Sequence, residues 1–367
     1  MKRLFLFCLC ALSVEAQTVL FHVQQKPWSF IQIGDLHAGS LLSAPGVSNT
    51  VAAILASNSA WNVKCVVTPG DIYEQTTNYF LWNPAVFDPG RFCGQDVTNQ
   101  FWILKESGIP VFAVPGNHDS DATIQYGTNI QMWNAVFGTN FYAGDPYWFT
   151  NKDAGDTGDS AWKLDAQRWL FIGLRWLDST NPAQPGFDTI ADMSNAYAPH
   201  VLWASNLCSQ LSNYHAVVMA HYWVDTDGDP NTKDIPSDSD SQSGFHQSYV
   251  NEGPGIVGWL SLKQLPNVTM LLSGHVRSHP MNVSLLSADI GAQVESIKFN
   301  TQTANFADPV LGTNANGDTF VLYTVHPSED YVEARVFSSY YGRFLTNGEF
   351  ASKWFTNDFI FYTRHLP

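Results

Sequence analysis

The segment IQIGDLHAGS, residues 31–40, begins as an apolar run and then continues with a glycine, an acidic residue and a histidine. Side chains of an extended segment alternate between its two sides, so Asp35 and His37 are expected to point in the same direction. A carboxylate and an imidazole together at the end of a strand form half of a metal site. The alternative is an ordinary polar loop, in which Gly34 turns the chain where the strand ends.

Short apolar runs of the same kind recur along the chain, and segments with helical spacing lie between several of them. This alternation predicts an α/β protein with buried strands. The end of the chain differs, because its apolar runs follow one another without a helix, and we expect them to form part of a second sheet packed on the first. The further runs are 63–71, 110–119, 169–174, 215–223 and 268–279, the helical segments are 47–58, 97–107, 130–137 and 200–211, and the runs of the tail are 319–326, 331–344 and 359–364.

The composition is that of a globular chain with a large core. Of its 367 residues, 45% are hydrophobic and only 14% are charged, which excludes a disordered chain. The net charge of −15 argues against a partner that is a nucleic acid or an anionic membrane, since such partners require a basic surface. A phosphorylated substrate would also be repelled, so its binding site would need local positive charge.

The first 16 residues have the features of a secretory signal peptide. Two basic residues precede an apolar stretch from Leu4 to Val14, and a small residue, Ala16, marks the expected cleavage site. That stretch is much shorter than the roughly 20 apolar residues of a membrane span, and no later stretch resembles a transmembrane segment. We therefore expect a secreted, extracellular protein, with residues 17–367 as a single domain and with 301–367 as the strand-rich part that completes the second sheet.

Three cysteines, Cys65, Cys93 and Cys208, follow the predicted signal peptide. In an oxidising compartment, one disulfide and one free thiol is the simplest expectation, but the sequence leaves the pairing open. Asn267-Val-Thr and Asn282-Val-Ser match the glycosylation sequon. Each is either a glycosylation site of a glycoprotein or a chance match.

Residues able to bind a metal gather at the ends of five apolar runs. Ligands of open α/β sheets bind beyond the carboxyl ends of the strands, so these residues are expected to meet at one edge. Imidazole and carboxylate ligands suit Zn, Fe and Mn, and a carboxylate such as that of Asp71 can bridge two metals lying ~3.5–4 Å apart. The residues are Asp35, His37, Asp71, Asn117, His118, Asp119, His221 and His275.

The order Asp-x-His, Gly-Asp, Gly-Asn-His-Asp, a single His and then Gly-His resembles that of the calcineurin-like metallophosphoesterase superfamily. The resemblance spans residues 35–277 and implies a four-layer α/β/β/α sandwich of two mixed sheets. It also implies one metal on Asp35, His37 and the bridging Asp71. The second metal would be held by Asp71, Asn117, His221 and His275, and water between the two metals would become the attacking hydroxide.

The same resemblance assigns catalytic roles to two further residues. His118 would protonate the leaving oxygen, a step that typically contributes ~10²–10⁴-fold to the rate. Glu74 lies where the family often has a carboxylate that orients this histidine, although an ordinary surface acid is an equally good interpretation of Glu74.

Arg277 departs from the family pattern, because it stands where a second histidine usually completes the first metal site. A guanidinium has no lone pair to donate, so it cannot bind a metal. We expect Arg277 to contact the substrate phosphate and the metal on Asp35 and His37 to be the weaker of the two. His279 is not expected to replace the missing ligand, since Pro280 favours an extended backbone at that position.

These residues predict a secreted metal-dependent phosphoesterase that acts on a small phosphate monoester or diester. One or two divalent or trivalent metal ions would serve as cofactors. The alternative is a non-catalytic or weakly active relative that binds a phosphorylated ligand through Arg277 and one metal. The retained His118 favours the enzyme, because a binding protein needs no acid for a leaving group. Substrate, metal identity and oligomeric state stay open.

Overall fold

The structure is a computed structural model. The described residues are 25–36, 44–72, 95–116, 119, 131–177, 190–223, 255–275, 281–289, 293–300, 319–339, 341–345 and 358–362. The helices are α1 (Ala44–Trp61), α2 (Gln95–Glu106), α3 (Gln131–Phe137), α4 (Thr139–Tyr142), α5 (Ile190–Gln210) and α6 (Gly255–Leu262). The strands are β1 (Trp28–Gln32), β2 (Val63–Thr68), β3 (Val111–Ala113), β4 (Trp148–Asp153), β5 (Asp156–Leu164), β6 (Trp169–Leu174), β7 (His215–Ala220), β8 (Val268–Ser273), β9 (Met281–Ser287), β10 (Gln293–Phe299), β11 (Thr319–His326), β12 (Tyr331–Ser338), β13 (Arg343–Phe344) and β14 (Asp358–Tyr362).

The described strands form two mixed sheets, as the predicted α/β class requires. The first sheet has the order β13-β12-β11-β1-β2-β3, with β14 also paired to β12. The second has the order β4-β5-β6-β7-β8-β10-β9. In the first sheet β1, β2 and β3 are parallel neighbours, and in the second β6, β7 and β8 are parallel neighbours. Their carboxyl ends carry the predicted ligands.

The strands of the tail lie in a different place from the one predicted. The sequence predicts that they form a sheet apart from the first strands of the chain, but β11 pairs directly with β1 in an antiparallel register from Trp28↔Val325 to Gln32↔Val321. The tail therefore extends the sheet that contains β1 and β2. The strands β4 to β10, from the middle of the chain, form the other sheet.

Aromatic side chains fill the space between the two sheets. Phe30 of β1 meets Phe171 of β6 edge-on, with ring centroids 5.3 Å apart. Phe112 of β3 stacks on Trp162 of β5, with centroids 4.9 Å apart. Strands that are covered on both faces read as nearly continuous apolar runs, which explains why the sequence shows little alternation in β2, β6 and β7.

Helices cover the outer faces of both sheets. Val47, Val51 and Ile54 of α1 are buried in the core of the first sheet, whereas Tyr197 and Val201 of α5 belong to a separate apolar cluster with strands of the second sheet. The order of the layers is therefore helix, sheet, sheet, helix. Among the described helices, none combines the length and apolar character that a membrane crossing requires.

One of the two asparagines in a glycosylation sequon is a structural residue. The side chain of Asn267 is fully buried, and its amide nitrogen donates to the backbone oxygens of Cys208, Leu211 and Tyr214 at 3.0–3.1 Å. A glycan on this nitrogen is incompatible with the fold, so the sequon at Asn267 is a chance match. The side chain of Asn282 lies outside the described part of the chain.

Two of the three cysteines are free thiols. Cys65 of β2 and Cys208 of α5 are both buried and belong to different apolar clusters, which excludes a disulfide between them. Burial raises the pKa of the Cys208 thiol to about 12, so this thiol is unreactive at neutral pH. Cys93 lies outside the described residues.

Candidate metal centre

Four of the predicted ligands meet where the carboxyl ends of parallel strands from the two sheets lie close together. Asp35 and Asp71 follow β1 and β2 of the first sheet, while His221 and His275 follow β7 and β8 of the second. All four residues are buried. The Oδ2 atom of Asp71 lies 3.0 Å from Nε2 of His221, and Nδ1 of His275 lies 3.0 Å from the same nitrogen. The two sheets thus contribute equally to one polar cluster inside an apolar fold.

The orientation of His221 is fixed by the backbone. Its Nδ1 lies 3.1 Å from the carbonyl oxygen of Pro69, and a carbonyl only accepts, so Nδ1 carries the hydrogen. In the neutral ring Nε2 then has a lone pair, and this lone pair lies within hydrogen-bonding distance of a carboxylate that is also an acceptor. Two acceptors so close together require a proton or a cation between them. A backbone carbonyl that fixes the tautomer in this way is typical of metal-binding histidines.

Asp35 joins the end of β1 to the end of β8. Both of its carboxylate oxygens accept the backbone N–H of His275, at 2.9 and 3.1 Å, and Oδ1 lies 4.0 Å from Nε2 of His221. At the last residues of the same two strands, the buried Gln32 donates to the backbone oxygen of Ser273 at 3.0 Å. The relative position of the two strand ends is therefore fixed by hydrogen bonds between the sheets.

Three of the four residues have backbone angles that non-glycine residues rarely adopt. The φ angles of Asp35, Asp71 and His275 are 43°, 51° and 65°. Left-handed φ values are uncommon outside glycine, and such strained residues cluster at functional sites. Each side chain here leaves its strand at a sharp turn, which directs it toward the centre of the cluster.

Two glycines allow the loops after β2 and β3 to approach each other. A Cβ added to Gly70, which has a φ of +117°, would lie 2.6 Å from Nδ1 of His221 and 2.8 Å from the backbone of Gly116. A Cβ added to Gly116 would overlap the carboxyl group and the backbone nitrogen of Asp71. The glycines of the Gly-Asp and Gly-Asn-His-Asp motifs are therefore required for contact between the two loops.

The charge balance of the cluster favours a cation. Burial alone would lower the pKa of His221, but the neighbouring carboxylates of Asp71, Asp35 and Asp119 outweigh burial and raise this pKa. Asp119 is itself fully buried and accepts the backbone N–H of Gly116 at 2.7 Å, which closes the turn of its motif. Three buried carboxylates around one imidazole leave a net negative charge that a bound cation would neutralise.

The described side chains fit a metal ion. Single ligand atoms of Asp71, His221 and His275 all lie within 4.8 Å of one another. One carboxylate and two imidazoles form a donor set that suits Zn, Fe or Mn. The predicted site residues His37, Glu74, Asn117, His118 and Arg277 lie outside the described residues, so their placement stays a prediction.

Trp176 was not indicated by the motifs, yet it lies beside the cluster. Its ring centroid is 4.9 Å from that of His275 and 5.5 Å from that of His221. The only signal in the sequence is its place in LRW, directly after the apolar run of β6. Because the run of β6 does not end in a metal-ligating side chain, there was no reason in the sequence to select Trp176.

A sequence model of the calcineurin-like phosphoesterase family matches residues 29–276. Among solved structures, the chain is similar to GAP50, described as the anchor in the inner membrane complex of Plasmodium, with 12% identity, coverage of 87% of each chain and a TM-score of 0.43. It is also similar to a cold-active protein-tyrosine phosphatase of a psychrophilic Shewanella, with 11% identity, coverage of 87% of this chain and 80% of the other, and a TM-score of 0.32. No curated protein sequence matches the chain. The two structural similarities are too weak to bear on function, whereas the family match spans well over half of the sequence.

Proposed function

The chain belongs to the calcineurin-like phosphoesterase family, and we propose that it hydrolyses a small phosphate monoester or diester with metal ions held between its two sheets. The observation that carries this proposal is the meeting of Asp71, His221 and His275, all buried, with ligand atoms within 4.8 Å of one another. A protein with a net charge of −15 repels phosphate at long range. Metal ions at this centre would supply the local positive charge that a phosphoester requires.

Each of the described residues would have a different role in binding the metal ions. Asp71 has two carboxylate oxygens and would bridge the two positions, while His221 presents Nε2 because Pro69 fixes its other nitrogen. Asp35 would contribute a carboxylate oxygen that the backbone of His275 already orients. When bound, metal ions at this centre would lower the pKa of water toward neutrality and would neutralise charge that develops on the phosphoryl oxygens.

Residues outside the described part of the chain complete the proposal. His118 would donate a proton to the leaving oxygen, Glu74 would orient its ring, and Arg277 would hold the phosphate through its planar guanidinium. His37 and Asn117 would be the remaining metal ligands. These roles rest on the sequence motifs.

We also propose that the protein is exported after removal of residues 1–16. The support is the charge and length of the N-terminal apolar stretch. Determining the N-terminal residue of protein recovered from the medium of the producing cells tests this, with Gln17 as the expected first residue. A mature chain that retains Met1 would contradict export by this route.

The test of the function combines metal content with turnover. Purified protein is assayed for bound metal and for hydrolysis of p-nitrophenyl phosphate and bis(p-nitrophenyl) phosphate, before and after chelation. Loss of turnover on chelation and its return with Zn²⁺ or Mn²⁺ are expected. Asp289→Asn is a matched control, because this carboxylate pairs with Lys263 on the surface. Metal binding without turnover of either ester would contradict the proposal of an enzyme. It would favour the alternative, a non-catalytic relative that binds a phosphorylated ligand.

A second experiment isolates the proposed acid. The variant His118→Ala should keep its metal content but lose far more activity on an alkyl phosphate than on an aryl phosphate, because a good leaving group needs little protonation. Equal losses on both esters would remove His118 from this role.

A further inference from the structure

The segment that follows β6 places an indole against both imidazoles of the candidate metal centre. The ring of Trp176 lies at an interplanar angle of 45° to the ring of His275 and at 69° to that of His221. Trp176 is only 4% exposed, so it separates one side of the imidazole pair from solvent. An imidazole that packs against a rigid ring has fewer orientations available to it.

Three anchors, each on a different part of the fold, hold this segment of residues 175–177. The backbone N–H of Arg175 donates to Oδ1 of Asp159 on β5 at 3.1 Å. The backbone N–H of Trp176 donates to the oxygen of Pro115 after β3 at 3.2 Å. The backbone N–H of Leu177 donates to the hydroxyl of Tyr197 on α5 at 2.8 Å. Every backbone N–H of the segment is thus used for anchoring.

Arg175 fixes the start of the segment through a buried ion cluster. Its Nε donates to Oδ2 of Asp159 at 2.6 Å and its Nη2 lies 2.8 Å from Oδ2 of Asp156. Asp159 is fully buried and also lies 2.8 Å from Nδ1 of His200. A guanidinium held at two positions by carboxylates has little freedom to move. Because Trp176 is the next residue in the chain, the ion cluster also restrains the backbone of Trp176.

We infer that Trp176 is a positioning residue for the metal-binding imidazoles and that the Asp159–Arg175 pair acts on the centre through it. This inference rests on the proposed function only for the existence of the metal centre. Residues that orient metal ligands commonly change metal affinity by 10–100-fold when they are replaced. None of the sequence motifs includes Trp176, Arg175 or Asp159.

The experiment measures the affinity of chelator-treated protein for Zn²⁺ alone, by competition with a chromophoric chelator. Trp176→Leu is expected to weaken Zn²⁺ binding by about tenfold or more, and Trp176→Phe, which keeps a ring, by less. Trp133→Leu is the matched control, because Trp133 of α3 is fully buried in the large apolar cluster and packs on Phe137 with ring centroids 4.7 Å apart. This control should lose stability in the metal-free state but keep wild-type affinity.

A double-mutant cycle tests the path from Arg175. Arg175→Lys keeps the positive charge but loses the planar guanidinium that donates to two carboxylates at once. We therefore expect it to lower Zn²⁺ affinity about threefold or more in the wild-type background. In the Trp176→Leu background it should have no further effect, because contacting residues that act in series are not additive.

The outcomes separate this inference from the proposed function. Wild-type affinity in Trp176→Leu, or an equal loss in Trp133→Leu, would overturn the positioning role while leaving the phosphoesterase proposal intact. If Trp176→Leu does not fold, an unchanged affinity in Trp176→Phe together with an unchanged affinity in Arg175→Lys overturns it. Zn²⁺ binding with the expected pattern but no ester hydrolysis would contradict the proposed function alone. A wild-type chain that binds no metal would overturn both.

Discussion

Replacing Gly116 by alanine should damage the candidate metal centre although it replaces none of the ligands. The new Cβ would lie 3.0 Å from Cγ of Asp71 and closer still to its Oδ1 and backbone nitrogen. Gly116 does not have a positive φ angle, so the alanine itself adds no backbone strain. The effect must therefore come from the overlap with Asp71.

The overlap sets the size of the effect. A backbone nitrogen cannot move aside as a flexible side chain can, so the loop after β2 or the loop after β3 has to shift by several tenths of an ångström. Overpacking of this kind costs about 1–3 kcal/mol of stability. A shift of Asp71 would also disturb the 3.0 Å contact between its Oδ2 and Nε2 of His221. We expect the affinity for Zn²⁺ to fall by about 10–100-fold, as for other changes that misplace a metal ligand.

The assay compares Gly116→Ala with Gly155→Ala. Gly155 lies in the turn between β4 and β5, and a Cβ there meets no atom within 4 Å, but its φ of +81° makes alanine strained by about 1 kcal/mol. Both variants should therefore lose stability in chemical denaturation of the metal-free protein, while only Gly116→Ala loses Zn²⁺ affinity. Equal Zn²⁺ affinities in the two variants would refute the argument that glycine is needed beside Asp71.

Asp71→Asn should leave a folded protein with little bound metal and almost no ester hydrolysis, which metal analysis and turnover would check; near-normal turnover would rule out a bridging role. Zn²⁺ at one hundred times its Kd should raise the free energy of unfolding by about 2.7 kcal/mol, and a Tm that is the same with Zn²⁺ and with chelator would contradict a site that joins the two sheets. Burial raises the pKa of the partly buried Glu295 from 4.5 to about 7, so its ionisation destabilises the fold as pH rises through this range. Glu295→Gln should raise the free energy of unfolding by about 1–2 kcal/mol at pH 8 and leave it unchanged at pH 4. The gain stays below the full ~1.4 kcal/mol per pKa unit because Glu295 is partly exposed. Burial raises the pKa of Asp159, but His200 and Arg175 outweigh burial and lower this pKa overall. The ionised carboxylate therefore stabilises the fold fully above an unfolded pKa of ~3.9, and this contribution is lost as pH falls through the folded value. Asp159→Asn should therefore cost about 3 kcal/mol at pH 7 and much less at pH 2, by denaturation at the two pH values.

The sequence predicted the polar strand ends because each consists of a buried apolar run followed at once by a ligand residue. Asp35, Asp71, His221 and His275 all lie where that reasoning puts them, at the carboxyl ends of β1, β2, β7 and β8. Within each sheet, the proximity of the two ligands follows from topology, since neighbouring parallel strands end at the same edge. The family motifs added the order of the ligands, and the match of the family model confirms the family.

Other features depend on contacts that no local pattern encodes. The pairing of β11 with β1 was missed because a strand shows its own apolar faces but not its partner. The role of Asn267 was missed because its three acceptors lie on a loop and a helix more than 50 residues away. Trp176 was missed for a similar reason, since its neighbours His221 and His275 come from other strands.

The pairing of β1 with the tail also determines when the protein is able to fold. Ser29 of β1 and Thr324 of β11 are hydrogen-bonded across 295 positions of sequence, so β1 lacks this antiparallel neighbour until β11 has been synthesised. Contacts between such distant segments slow folding, because a long loop must close before they form. A chain that ended before β11 would contain every predicted metal ligand and still leave β1 as an exposed edge strand. We therefore expect the metal centre to be completed late in folding, and metal binding during synthesis would report on the pairing of β11 with β1.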